Sequence, residues 1–122
     1  MALHWKDSIY ENVRLGIVEL LILHMLSERD MYGYEIKDEL DVRTCGAFQV
    51  KEGSLYGPLY RMQARELITS HKETVVNKRF RMYYSITDFG KEYLEYGKEQ
   101  MKIVFAGVES LLNRKGADDE QN

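Results

Sequence analysis

Apolar side chains recur at helical spacing through the first quarter of the chain. Between residues 15 and 27, Ile17, Leu20, Leu21 and Met25 are helically spaced, and Val18, Ile22, Leu23 and Leu26 fill most of the remaining circumference. A helix that is apolar nearly all round is expected at the centre of a fold. Ahead of it, Trp5, Ile9 and Val13 repeat every four residues among Lys6, Asp7, Glu11 and Asn12, the pattern of a short amphipathic lead-in helix. The polar break Ser27-Glu28-Arg29-Asp30 and then Gly33 lead into a second short helix over residues 34–40, with Ile36 and Leu40 four apart.

Residues 41–51 show no sustained period and read as a connection. Ser54 is placed to cap a third helix running to Arg65, with Leu55, Leu59 and Met62 on one face. Pro58 would forfeit the backbone bond to the carbonyl of Ser54, and Gly57 beside it can absorb an irregular first turn. Two β-favouring runs follow, residues 68–75 and 80–86, with Asn77 and Lys78 at the tip between them, which predicts a hairpin with a basic end. Thr87 then caps a long final helix reaching about Asn113, striped by Tyr93, Met101, Val104, Phe105, Val108, Leu111 and Leu112. Gly97 and Gly107 interrupt that helix at about 1 kcal/mol each relative to Ala. The cost is either tolerated or set against close approach of another helix.

Three helices and a two-stranded hairpin, in that order, are the elements of a winged helix-turn-helix, whose third helix enters the DNA major groove. The expected fold is therefore mainly α with a small β-hairpin, a winged helix-turn-helix extended by a long C-terminal helix. Residues 1–86 form the winged domain with its lead-in helix, 87–114 the long C-terminal helix, and 115–122 a tail too polar to pack.

Charge at first argues against a nucleic-acid partner, because 17 basic residues face 20 acidic ones for a net −3. Its distribution reverses the inference: residues 1–50 carry −4, residues 51–85 carry +4 and residues 86–122 carry −3. The positive segment coincides with the third helix and the hairpin. Composition excludes other classes. The lone Cys45 cannot close an intramolecular disulfide, and there is no Cys/His set at zinc-ligand spacing, so a reducing cytoplasm and no metal are expected. The longest apolar stretch, residues 15–26, is broken by Glu19 and His24 and falls short of the ~20 residues that span a bilayer. Asp7 and Glu11 stand where the apolar core of a secretory leader would run, so none is expected. Glycine-rich phosphate loops, Ser/His/Asp spacing and recognisable carboxylate pairs are absent from the sequence, so neither an enzyme nor a cofactor is expected.

Three motifs make the reading specific: Met31-Tyr32-Gly33-Tyr34-Glu35-Ile36; Gly53-Ser54-Leu55-Tyr56 followed by Leu59, Arg61, Met62, Leu67 and Ile68; and Tyr83-Tyr84-Ser85-Ile86-Thr87 with Gly90. In this order and spacing the chain resembles the PadR family of bacterial transcriptional regulators, over residues 15–94. The resemblance implies a repressor that dimerises through its C-terminal helix on a palindromic double-stranded DNA operator and is often released by a small phenolic or drug-like effector. The chain departs from the family at four places. Gly57-Pro58 inverts the usual order, Glu66 stands at a customary glycine, Met82 replaces a lysine, and Met101 occupies the position of a frequent tryptophan, so effector stacking on that tryptophan does not carry over.

On this reading Leu55, Leu59, Met62 and Leu67 pack the third helix onto Leu20, Leu21 and Ile36. The opposite face presents Ser54, Tyr56, Tyr60 and Arg61 to DNA, flanked by Lys51. Lys72, Lys78, Arg79 and Arg81 supply the wing, where contacts to phosphate would position the protein. Of Tyr83 and Tyr84, one should be core and the other surface, since neighbours on a strand face opposite ways. Tyr56 can read a base or stack on the wing. His24 is expected as a hydrogen-bonded core residue, and Cys45 as a thiol without a partner. Trp5, Ile9, Met101 and Phe105 are expected to line either a dimer core or an effector pocket. The competing function is a winged-helix protein-interaction module without operator specificity.

Overall fold

The computed structural model describes residues 5–113 of the chain. The tail expected over 115–122 and the end of the 87–114 segment lie outside the described residues, as does the side chain of Lys78. The elements run α1 (Trp5–Glu28), β1 (Met31–Tyr32), α2 (Gly33–Arg43), α3 (Glu52–Ala64), β2 (Ile68–Val75), a 3-10 turn (Val76–Lys78), β3 (Arg79–Ile86) and α4 (Asp88–Asn113). This is the expected winged helix-turn-helix with a long C-terminal helix.

Three local expectations are corrected. The lead-in and first helices are one continuous helix of 24 residues, since the polar residues between the two apolar runs change which face is wet without ending the helix. Only its last turns are central: Ile22, Leu23, Met25 and Leu26 are buried, whereas Trp5, Ile9, Val13 and Leu15 are exposed. Ser54 does not cap α3, because the helix begins two residues earlier with Lys51 in extended backbone at the cap position. Pro58 consequently sits inside α3, facing the carbonyl of Ser54 without a hydrogen to give it. The hairpin is also joined by a third strand, in the order β1-β3-β2 and wholly antiparallel, with Met31 opposite Tyr84 and Tyr32 opposite Tyr83.

The core gathers one face from each element: Ile36 and Leu40 of α2, Leu55, Leu59 and Met62 of α3, Leu67, Ile68 and Tyr84 of the corner and wing, and Leu94 of α4. Leu21 packs against this cluster as expected. Leu20 points instead at α4, where a Cβ on Gly97 would run into its methyl groups. Gly97 thus marks a close helix approach, and Gly107 has open space around it within the chain.

Thr87 joins α4 to the wing corner. Its Oγ1 accepts the Gly90 N–H at 2.9 Å, capping the helix, and its hydroxyl lies 2.7 Å from the carbonyl of Glu66, to which it donates. A Cβ on Gly90 would collide with the carbonyl oxygen of Leu67, so glycine is what lets the start of α4 close against this corner. At the other end of the motif, Arg43 grips Glu28 through both carboxylate oxygens, at 2.6 and 3.0 Å, tying the end of α2 to the end of α1. Those bonds hold the Glu28 carboxyl below its usual range.

The stretch read as a featureless connection is anchored to α1. Arg14 donates to the carbonyl of Ala47 at 2.6 Å and lies over the Tyr10 ring, whose hydroxyl accepts the Gln49 N–H at 2.8 Å. These bonds set where α3 begins.

Candidate nucleic-acid interface

α3 has three faces. Leu55, Leu59 and Met62 point into the core. Gly53, Gly57, Tyr60 and Ala64 form the outward crest, of which Tyr60 is the tall member at 75% exposure. Ser54, Arg61 and Arg65 lie along the flank towards α1, at the four- and seven-residue spacing of one helix side. Tyr56 and Gln63 lie on the other flank, where Gln63 donates to the Ser70 hydroxyl of β2 at 2.7 Å and so fixes α3 to the wing.

The expected α3 residues are therefore exposed but do not share one orientation. Tyr60 faces straight out, and Ser54 is exposed on the α1 side. Tyr56 is half exposed beside Gly33, towards the base of α2. Arg61 is engaged within the chain: its Nε and Nη2 each lie 3.3 Å from Oε2 of Glu19, and Arg65 Nη1 lies 3.7 Å from the other oxygen. Lys51 stands exposed at the start of α3.

The wing divides its cations between two faces. Strand alternation puts Tyr84 inward, exposed only 8%, and Tyr83 on the opposite face, so one of the pair is core and its neighbour is not. Burial pushes the Tyr84 phenol up, which keeps it neutral. Lys72, paired across the strands with Met82, shares the Tyr84 face with exposed Phe80. Arg79 and Arg81 share the Tyr83 face, opposite Val75 and Glu73. There Arg81 lies 4.3 Å over the Tyr32 ring, Tyr32 meets Tyr83 at a tilt with ring centroids 5.5 Å apart, and Tyr83 stacks on His71 at 5.9 Å. At the tip, Asn77 takes left-handed backbone at φ 67°, a conformation its short polar side chain tolerates and that the turn between the strands requires.

Two residues of this region escape the sequence reading. Glu19 registers there only as a break in an apolar run, although a carboxylate within an apolar run asks for a cationic partner and the basic segment holds several. Arg65 contributes to the segment's charge but falls outside the expected site. His24 is not the satisfied core histidine expected: Nε2 faces Glu28 at 3.4 Å, and its buried Nδ1 has no partner. Cys45 is an exposed free thiol.

A second feature lies on the far side of α1. A groove of about 740 Å³ runs between α1 and α4, lined chiefly by Val13, Ile17, Leu20, Met101, Val104 and Phe105. Two of the four residues expected at a pocket or dimer core, Met101 and Phe105, line it. Trp5 and Ile9 do not, lying one to two turns nearer the start of α1, about half exposed. Among the described residues no cluster of His, Cys, Asp and Glu could hold a metal ion, and no helix is long and apolar enough to cross a membrane.

Comparison with known proteins places these features in a family context. Residues 22–96 match the transcriptional regulator PadR-like family. An uncharacterized protein X of Lysinibacillus sphaericus is 40% identical over 89 residues, which cover 72% of this chain and 82% of that one. The transcriptional regulator YqjI of Escherichia coli is 30% identical over 89 residues, covering 73% of this chain but only 41% of that longer protein. Among solved structures, a PadR-like transcriptional regulator from Bacillus cereus shares 36% identity at a TM-score of 0.73, over 85% of this chain and 99% of its own. A PadR family regulator from Clostridium difficile shares 33% at 0.66, over 78% and 97%.

Proposed function

This chain belongs to the PadR-like family of transcriptional regulators, and we propose that it acts as a cytoplasmic repressor, binding a palindromic double-stranded DNA operator as a homodimer. The observation that carries the reading is the coincidence of the +4 segment, residues 51–85, with the two elements that a winged helix presents to a duplex. Tyr60 and Ser54 of α3, with Tyr56 and Arg61 at its flanks, are the candidates for base contact. Lys51, Lys72, Lys78, Arg79 and Arg81 are the candidates for phosphate. Because Lys72 and the two arginines occupy opposite faces of the wing, the hairpin would meet the backbone edge-on at its tip, with cations on either side.

What α4 leaves uncovered supports the dimer. Ile103, Val104, Phe105, Val108, Leu111 and Leu112 are all about half exposed or more, and large apolar side chains gathered in this way along one helix mark a surface for association. A second copy of the helix, seated in the α1–α4 groove, would cover it. Two-fold pairing would then set the two α3 helices about one DNA turn apart, roughly 34 Å, or a multiple of it. Steric exclusion of polymerase from the bound operator would repress. The groove is also of a size to take a small aromatic or drug-like effector, with Met101 and Phe105 as adaptable lining.

Replacing Lys78 and Arg79 together by glutamine tests the wing. Binding to every duplex should weaken, and the dependence of log K on log salt should flatten by about 1 to 2 units, since each phosphate that the wing no longer neutralises keeps its condensed counterion. An unchanged slope removes the wing tip from the interface.

A further inference from the structure

Glu19 of α1 stands apart: it is a carboxylate placed against α3, the helix proposed to approach an anion. It reaches across 42 residues of sequence to α3, and its side chain is only 15% exposed, enclosed between α3 and the wall of the α1–α4 groove. One carboxylate there serves two guanidinium groups, Arg61 at 3.3 Å and Arg65 at 3.7 Å, whose side chains remain about half exposed. Ion pairs of that exposure contribute little to stability. They bear on DNA affinity, because two of the seven basic residues in the positive segment share one carboxylate, which offsets one of their two charges beside the surface that would meet phosphate.

The geometry at Arg61 is directional. Glu19 takes the Nε–Nη2 edge of the guanidinium through a single oxygen. Nη1 extends the other way, 3.5 Å from where a Cβ on Gly57 would stand, and so towards the outward crest of α3. A guanidinium reads a guanine edge through two parallel bonds and discriminates only when its plane is fixed; a freely rotating one binds any phosphate within reach.

We propose that Glu19 is a specificity-determining positioning residue: it withdraws Arg61 and Arg65 from indiscriminate phosphate binding and holds the free edge of Arg61 towards a base. This rests on the DNA-binding reading given above. Loss of the carboxylate releases two cations, so binding to unrelated sequence tightens while preference among sequences declines.

The test measures binding of the full chain to a random-sequence duplex across a range of salt concentrations, so that no operator need be known. For Glu19→Gln, with a thermal melt confirming the fold, the salt slope should steepen by about 1 to 2 units, at about 0.9 per phosphate engaged. Adding Arg61→Gln and Arg65→Gln to that variant should cancel the gain. In the wild-type background, Arg61→Gln should leave the slope nearly unchanged, because the arginine is held off phosphate; this arm decides the matter if Glu19→Gln does not fold. An unchanged slope in folded Glu19→Gln, or a loss of about 0.9 from Arg61→Gln alone, overturns the role of Glu19 while leaving DNA binding intact. A wild type with no salt-dependent affinity overturns the DNA-binding reading and the role of Glu19 with it.

Discussion

Glu66 turns the chain from α3 into the wing with left-handed backbone, φ 63°, a conformation that glycine adopts at no steric cost. For an L residue that region costs about 1–2 kcal/mol, and a glycine recovers most of it less its own greater loss of freedom on folding. The Glu66 side chain is exposed, and the chain uses only its backbone here: the N–H donates to the Gln63 carbonyl and its own carbonyl accepts from Thr87. Glu66→Gly should therefore keep every bond of the turn and stabilise the protein by about 1 kcal/mol, read as a higher urea midpoint at unchanged m. A lower midpoint would mean that the side chain has a role that the turn geometry does not reveal.

At the scale of elements, the hairpin was almost fully legible. Residues 68–75 and 79–86 pair in one uninterrupted register because their alternation and turn chemistry agree with each other locally. The extent of α4 and its Thr87 cap were legible for the same reason, an unbroken stripe behind a good capping residue. Strand β1 was not, since two residues are too few to show any period and their pairing with Tyr83 and Tyr84 depends on a partner some fifty residues away. The start of α3 misled because Ser54 is a stronger local cap signal than Lys51, and the anchoring of residues 44–49 to Tyr10 and Arg14 fixes the true boundary from outside. Arg61 shows the same limit within the candidate site: its type and position were readable, but its engagement by Glu19 is a tertiary contact. The element that carries the clearest consequence is α4. If its exposed stripe is a dimer seam, Val108→Glu buries a charge in that seam and should convert the protein to a monomer at micromolar concentration, while the fold of residues 5–96 persists by circular dichroism. Light scattering checks this, and a wild type that already has monomer mass would remove the seam altogether.

Over the whole molecule, the overall sign of charge misleads and its arrangement informs. Among the described residues, those of the −4 and −3 segments supply α1, α2 and α4, the frame and the proposed dimer seam, while the +4 segment supplies α3 and the wing. The acidic frame is compatible with DNA binding as long as it stays away from the duplex, and it disfavours indiscriminate binding elsewhere on the surface. Glu19 brings that acidic frame into contact with the reading head. The competing protein-interaction module would share the charge pattern and the fold, and would differ in taking a protein as its partner and in showing no preference among DNA sequences. Selection from a random-sequence duplex library, followed by footprinting of the enriched site and determination of the protein-to-DNA ratio, separates the two. A dimeric operator-binding regulator should enrich a two-fold symmetric site, bound by two chains, with half-sites one helical turn or a multiple of it apart. Failure to enrich any sequence, or enrichment of an asymmetric site bound by a single chain, would contradict that reading.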